Sequence, residues 1–463
     1  MSMTLEQPIA APQPPRRNRV RRVLLVSYHF PPVGGAGVQR PVKFVKYLRE
    51  YGWHASVLVA ANPSVPVFDD SLCEDIPTNT IIEPARTFEP GYRFKKNTAQ
   101  SGVTNGTTTG FSLRRWISGS LRTAAHMVLQ PDPQVLWLPD AYRRAMRLLN
   151  RTPHEAIMAT APPYSNLLLA ARLKRATGLP LIVDFRDEWD LSSRYLENSH
   201  KDRFSHYVQE RMQRSVLRSA DAILATTRSS TNRLLDRARN AGSHAVGRCI
   251  YNGFDEDDFP SDQWHASGAN HSGRLRLVYT GTLWNLTSAQ PLAEAIEKLA
   301  VTDRSLLERL DLCFVGRRTP EQETWLDRME TAGCVVDRQP YCQHSRVLEL
   351  MRSADALCLL LSSVEGTERV VPAKLFEYLA SRKQVLAITP PGETADILRS
   401  VSPHSHFDPA DTAGIANWLA SRLQTEHAGQ NHHDNFHEMD ISTFSRRKQA
   451  GQLATLLDGL AAG

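Results

Sequence analysis

Short apolar runs recur along this chain, and longer amphipathic stretches separate them. Residues 23–27 (VLLVS), 55–60 (ASVLVA) and 80–82 read as the first three strands, and 156–160, 181–185, 222–226 and 248–251 continue the series. Residues 37–50, with Val38, Val42, Val45 and Leu48 near helical spacing, read as a helix, as do 167–177 and 204–218. Short apolar runs alternating with amphipathic helices specify a parallel sheet covered on both faces. The polar stretch 261–274 (SDQWHASGANHSGR) breaks the order, because Gly, Ser, Asn and His replace the apolar periodicity. Strands then resume at 275–279, 312–315, 354–361 and 384–388. The pattern predicts an α/β chain of two doubly wound domains. A basic tail (1–21) precedes a first domain (22–260), a linker (261–274), a second domain (275–443) and a closing helix (444–463) that packs back on the first.

Length agrees with this division, since 463 residues are too many for one core. Hydrophobic residues at 41% and charged residues at 22% are ordinary for a soluble globular chain. A net charge of +6 is modest for this length and does not point to nucleic acid. It suits anionic substrates or an anionic membrane surface. The six cysteines form no C-x-x-C pair and read as buried free thiols of a reducing compartment. Residues 1–15 lack the apolar core of a signal peptide, and the apolar run 354–361 is too short to span a bilayer. A cytoplasmic protein is therefore expected.

The first strand opens into Tyr28-His29-Phe30-Pro31-Pro32-Val33-Gly34-Gly35-Ala36-Gly37, ahead of Arg40. Glycines between a strand and a helix let backbone amides approach an anion. The loop is not a dinucleotide fingerprint. Arg40 stands at the third glycine position, and the second strand ends in Ala60-Ala61-Asn62 without an acid for a ribose.

Four motifs in order carry a resemblance. Phe30-Pro31-Pro32 with Gly34, Gly35 and Arg40 comes first. Ala161-Pro162-Pro163-Tyr164-Ser165 leads to Asp184-Phe185-Arg186-Asp187-Glu188-Trp189. Asn252-Gly253-Phe254-Asp255 forms a turn, and Pro372-Ala373-Lys374-Leu375-Phe376-Glu377 opens a helix. The chain resembles retaining glycosyltransferases of family 4, in a bacterial branch with a DFRDxW signature. That resemblance runs from Val23 to Leu398. It implies the GT-B fold, two Rossmann-like domains facing a central cleft, and transfer of a sugar from a nucleotide-sugar to a glycan or lipid-linked acceptor in cell-surface polysaccharide synthesis. A GT-B nucleotide-sugar epimerase and a non-catalytic sugar-nucleotide-binding relative are the alternatives.

On this resemblance the donor diphosphate meets Gly34, Gly35, Arg40, Gly281, Val371, Pro372 and Lys374, and Glu377 accepts from the ribose diol. The family's second Glu, eight residues earlier, is here Arg369, with Glu368 and Glu365 as substitutes for a sugar hydroxyl. The usual basic pair after the first strand of the second domain is missing from Gly281-Thr282-Leu283-Trp284, which leaves Arg317 and Arg318 to supply the charge. Arg186 and Asp187 are the candidate catalytic residues, Arg186 standing where the family has a His and Asp187 orienting the acceptor or donor sugar; the alternative is an ion pair between the two that shapes the loop. Residues 335–343 are expected to contain either a loop that packs on the nucleobase or a plain strand-to-helix turn. No metal or other cofactor is expected, and His432, His433 and His437 read as surface residues. Phe111 to Leu129 has an apolar stripe (Leu113, Trp116, Ile117, Leu121, Ala124, Val128) flanked by Arg114, Arg115 and Arg122. It reads either as a membrane-interface helix or as one packed on the sheet. Arg16 to Arg22 is a second candidate contact for anionic lipid.

Overall fold

A computed structural model describes residues 20–65, 67–89, 129–195, 202–260, 273–401, 403–427 and 440–462. The sequence expectations for 16–19, 101–128 and 261–272, and for the late histidines, lie outside them.

The strands are β1 (Arg21–Val26), β2 (Trp53–Ala60), β3 (Ile81–Ala85), β4 (Ala156–Ala161), β5 (Leu181–Phe185), β6 (Ala222–Ala225) and β7 (Val246–Cys249), then β8 (Leu275–Thr280), β9 (Leu310–Val315), β10 (Val335–Gln339), β11 (Ala356–Leu360), β12 (Gln384–Ile388) and β13 (His406–Phe407). The described helices are α1 (Ala36–Leu48), α2 (Leu138–Arg151), α3 (Ser165–Thr177), α4 (Trp189–Tyr195), α5 (Arg203–Ser219), α6 (Arg228–Asn240) and α7 (Gln290–Asp303), then α8 (Pro320–Ala332), α9 (His344–Arg352), α10 (Lys374–Ala380), α11 (Glu393–Val401), α12 (Thr412–His427) and α13 (Arg446–Ala462).

Two all-parallel sheets result, ordered β3-β2-β1-β4-β5-β6-β7 and β10-β9-β8-β11-β12-β13. Alternation within β1 shows why the strand is apolar throughout. Leu24 and Val26 enter one core cluster with α2 and α3, while Val23 and Leu25 enter another with α1 and α13. β4 divides its residues between the same two clusters. In the second sheet Leu277 and Tyr279 face one cluster and Val278 the other.

Two crossings join the sheets. Asn252-Gly253-Phe254-Asp255 runs beside the entry to α13: the Phe254 amide donates to the Phe444 carbonyl at 3.2 Å, and the Arg446 amide to the Phe254 carbonyl at 2.9 Å. α13 then lies on the first sheet, burying Ala450, Leu453, Ala454 and Leu457. A Cβ at Gly253 would overlap the Phe444 carbonyl oxygen and sit 2.6 Å from Gln449 Nε2. Gly253→Ala therefore has to part the two crossings. A loss on the order of 1–3 kcal/mol is expected, read as a lower urea midpoint at unchanged slope.

Three elements differ from the sequence expectation. β10 (VVDRQ) takes up residues 335–339 of the stretch expected to contain a loop or a strand-to-helix turn, and the connection itself is 340–343. It is an edge strand paired on one side with β9, so alternating charges are tolerated. β13 has two residues, too short for any pattern. α10 begins at Lys374, so Pro372 precedes the helix rather than sitting in its first turn; its carbonyl accepts from the Leu375 amide at 3.0 Å.

Candidate active site

In open parallel sheets ligands bind beyond the carboxyl ends of strands, where the strand order reverses direction. Those points lie between β1 and β4 in the first sheet and between β8 and β11 in the second. The loops that follow these four strands carry the glycine motif, the Pro162-Pro163 motif, Gly281 and the segment leading into α10.

Gly281 and Gly316 end β8 and β9 with φ of 122° and 131°, conformations that side-chain-bearing residues rarely adopt. A Cβ on Gly316 would overlap the Gly281 carbonyl, and one on Gly281 would lie 2.8 Å from Lys374 Nζ. The two glycines thus make a notch against which Lys374 rests. Its ammonium lies 3.8 Å from the Tyr279 ring centroid and has no carboxylate within 4.0 Å among the described residues. Burial pushes its pKa down to about 7, against weaker support from Cys358 and Glu377.

Glu377 follows by three residues on α10 and is partly exposed. Its carboxylate makes no hydrogen bond or ion pair among the described residues. Burial raises its pKa, and the charges of His344, Arg446 and Lys43 oppose that rise. His344 pairs through Nε2 with Asp258 Oδ2 at 3.0 Å. Burial works against its proton, but Asp258 and Glu377 prevail and lift its pKa to about 9.

The first lobe meets this surface at the glycine loop. Gly34 and Gly35 are partly exposed, and a Cβ on Gly34 would lie 3.0 Å from the Tyr341 hydroxyl of the second lobe. Asp69 accepts from the His344 amide at 3.3 Å. Arg317 is exposed near Tyr341, with no ion pair among the described residues. Arg318 is not its equal. It is tied to Glu323 at 2.7 Å and to the carbonyls of Gly316 and Gln339 at 2.9 Å, so it shapes the loop. Val371 is buried, while Pro372, Ala373 and Lys374 stay partly exposed. The seven-residue α10 has a weaker dipole than a long helix. Lys374 and the glycine notch, more than that dipole, supply the positive and open surface an anion needs here.

Three expected ligands are committed to the protein itself. Arg40 is 1% exposed. It grips Asp184 through Nε at 3.1 and 3.2 Å and Nη2 at 2.8 Å, and its Nη1 donates to the Ile250 and Tyr251 carbonyls at 2.8 Å. Its donors tie α1, β5 and the first crossing together and do not face a phosphate. Arg186 donates to the carbonyls of Ala161, Gly37 and Pro162, bracing the loops after β1 and β4. It makes no ion pair with Asp187, whose carboxylate is accessible and unpaired among the described residues. Glu368 accepts from the Gly366 amide at 2.9 Å and pairs with Arg369, so it holds its own turn. Glu365 is exposed.

Sequence reasoning missed the contacts that clamp the lobes. Arg369 Nε donates to the buried Glu188 at 2.9 Å, across from the loop that carries Asp187. Glu393 of the second lobe accepts from the amides of Arg228 at 2.7 Å and Ser229 at 3.0 Å, capping α6 of the first. A carboxylate that caps a helix 164 residues away leaves no local signal.

Comparisons with known proteins give the same architecture. Residues 103–246 match the family profile described as "Glycosyl transferase 4-like domain". No curated protein matched the sequence. The Anabaena protein Alr3699/HepE, solved with UDP and glucose, superposes with a TM-score of 0.58 at 14% identity, over 95% of this chain and all of that one. Sucrose-phosphate synthase from Thermosynechococcus elongatus gives 0.60 at 14% identity, over 96% and 99%. A UDP-forming α,α-trehalose-phosphate synthase from Burkholderia vietnamiensis gives 0.57 at 13% identity, over 96% and 99%. The chain thus has the two-domain, Rossmann-like GT-B fold, and residues 103–246 of it match a glycosyl transferase 4-like domain.

Proposed function

We propose that this protein transfers a sugar, with retention of configuration, from a nucleotide-sugar to a glycan or lipid-linked acceptor in cell-surface polysaccharide synthesis. The reading rests on one observation. A cation and an anion three residues apart, Lys374 and Glu377, stand without a hydrogen bond or ion pair among the described residues, in the segment that follows β11 at the switch point of the second sheet. The ammonium and the Gly281–Gly316 notch suit a diphosphate, and the carboxylate suits a ribose diol. Retention in this geometry has the acceptor oxygen bond the anomeric carbon on the face that the phosphate leaves. The acceptor's proton passes to the departing phosphate oxygen, and an oxocarbenium-like state lies between. Lys374 and Arg317 stabilise the growing phosphate charge, and Asp187 orients the sugar hydroxyls. The match over residues 103–246 and the UDP and glucose found with the Anabaena protein support this reading.

A thermal-shift panel of UDP-glucose, GDP-mannose and dTDP-rhamnose tests it. A true donor at about 100 times its Kd stabilises the protein by roughly 2.7 kcal/mol. No shift with any nucleotide-sugar contradicts the reading.

Donor affinity should also depend on pH. The sugar diphosphate is anionic throughout the neutral range, so binding favours the charged form of Lys374. With its pKa near 7 in the free protein, affinity is highest below that value. It falls as pH rises, by up to about tenfold per unit, until the bound-state pKa is passed. Isothermal titration in buffers of different ionisation heat should show proton uptake at pH 7.5. Lys374→Met should remove both the uptake and the alkaline fall; a flat wild-type profile from pH 6 to 8.5 would rule out Lys374 as the phosphate partner.

A further inference from the structure

The loop Arg186-Asp187-Glu188 joins β5 to α4, and its backbone is fixed within the first lobe. The Thr226 hydroxyl donates to the Arg186 carbonyl at 2.9 Å, the Tyr164 hydroxyl to the Asp187 carbonyl at 3.1 Å, and the Ser192 amide to the Glu188 carbonyl at 2.9 Å. Tyr164 in turn stacks on Trp189, with ring centroids 4.5 Å apart. The Glu188 side chain adds a tie to the other lobe. Its carboxylate is 3% exposed and accepts from Arg369 Nε at 2.9 Å and from the Ser230 hydroxyl at 2.6 Å, with Arg233 Nε 3.4 Å from its second oxygen. A buried carboxylate needs such partners to stay charged. Ser230 and Arg233 lie on α6 of the first lobe, and Arg369 is the partner that the second lobe gives.

Arg369 is itself built in. It ends a tight turn in which the Thr367 amide donates to the Val364 carbonyl at 3.1 Å and the Val370 amide to the Thr367 carbonyl at 3.0 Å. Gly366 of this turn has a φ of 95°, and a Cβ there would lie 2.2 Å from Leu191 Cδ2 of α4, so turn and helix are in close contact. The chain then passes Val370, whose carbonyl accepts from the Thr394 hydroxyl at 2.7 Å, and runs through Val371 and Pro372 to Lys374. One turn therefore touches the Asp187 loop and leads into the donor segment.

We propose that Arg369 is a positioning residue for the transferred sugar: through Glu188 it holds the loop that carries Asp187 in register with the donor segment of the second lobe. The inference rests on the donor-site reading above. In that reading the nucleoside diphosphate is held chiefly by the second lobe, and the sugar reaches across to Asp187. Arg369 thus acts on the sugar and not on the nucleotide. Removing its side chain leaves Glu188 both partners on α6, so no buried charge is orphaned. What is lost is the tie between Asp187 and the donor segment.

The test is calorimetry with two ligands. One is whichever of UDP-glucose, GDP-mannose or dTDP-rhamnose binds the wild type most tightly; the other is the nucleoside diphosphate of the same base. A hydrogen bond from a sugar hydroxyl to the Asp187 carboxylate is worth about tenfold in affinity. Arg369→Met should weaken the nucleotide-sugar by about that factor and leave the nucleoside diphosphate within about twofold of wild type. Arg369→Lys should recover most of the loss. Asp187→Ala should show the same selective loss, and adding Arg369→Met to it should cost nothing further. Equal losses for the two ligands, no loss, a loss in Arg369→Lys as large as in Arg369→Met, additive losses in the double variant, an unaffected Asp187→Ala, or failure of both Arg369 variants to fold would each overturn the proposal. If the wild type binds none of the three nucleotide-sugars, the donor-site reading fails instead.

Discussion

Replacing Glu377 by alanine is expected to abolish nucleotide-sugar binding, and transfer with it, while the protein stays folded. The carboxylate makes no hydrogen bond or ion pair among the described residues, so its removal orphans no partner there. Its burial is already unfavourable to its charge. A ribose diol would donate two hydrogen bonds to it. Bonds to a charged group are worth about 1.5–3 kcal/mol each. Their joint loss corresponds to roughly two to four orders of magnitude in donor affinity. Calorimetry with the preferred nucleotide-sugar measures this directly, and thermal melting checks the fold. Glu377→Gln keeps the shape and one acceptor oxygen, so it should fall between. Donor affinity within twofold of wild type in Glu377→Ala would remove Glu377 from the site.

Asp255→Asn should be the more damaging change for stability. Asp255 is buried between lobe and crossing. It pairs with Lys43 at 2.5 Å and Lys46 at 3.0 Å, and the Tyr47 hydroxyl donates to its other oxygen. Burial alone would raise its pKa, but Lys43, Tyr47 and Lys46 outweigh that and hold the carboxyl far below the usual range. Breaking a buried pair from one side typically costs about 3–5 kcal/mol, because the surviving cation stays buried. Lys43 retains Asp75 at 2.5 Å, which places the expected loss at the lower end. The sign of the pH effect follows from the depressed pKa. The contribution is complete above the unfolded value of about 4 and is lost as pH falls below it. The gap between wild type and Asp255→Asn in urea denaturation should therefore be wide at pH 7 and narrow toward pH 3. A constant gap would mean that the side-chain change, and not the charge, destabilises.

How much of this was legible in the sequence follows from where the information sits. Central parallel strands are buried on both faces, so β1, β4, β5 and β11 announce themselves as unbroken apolar runs. β10 does not, because an edge strand keeps Asp337 and Arg338. Loop motifs after β1, β4, β5 and β11 were legible because glycine and proline mark special backbone, and the strand order then gathered them at two switch points. The fates of individual charges were not. Nothing near Arg40 in sequence tells that it meets Asp184, 144 residues on, rather than a phosphate. The same holds for Arg186, spent on three carbonyls, and for Arg369, which found Glu188. Charge partners are tertiary facts, and a motif supplies the residue without its partner.

The alkaline branch of donor binding and the loss expected in Glu377→Ala both presuppose one placement of the donor, which a structure of the complex with the preferred nucleotide-sugar would reveal. The diphosphate is expected in the Gly281–Gly316 notch beside Lys374, with the ribose hydroxyls on Glu377 and the sugar directed toward Gly34, Gly35 and Asp187. A nucleotide bound elsewhere, with Lys374 and Glu377 left untouched, would contradict it.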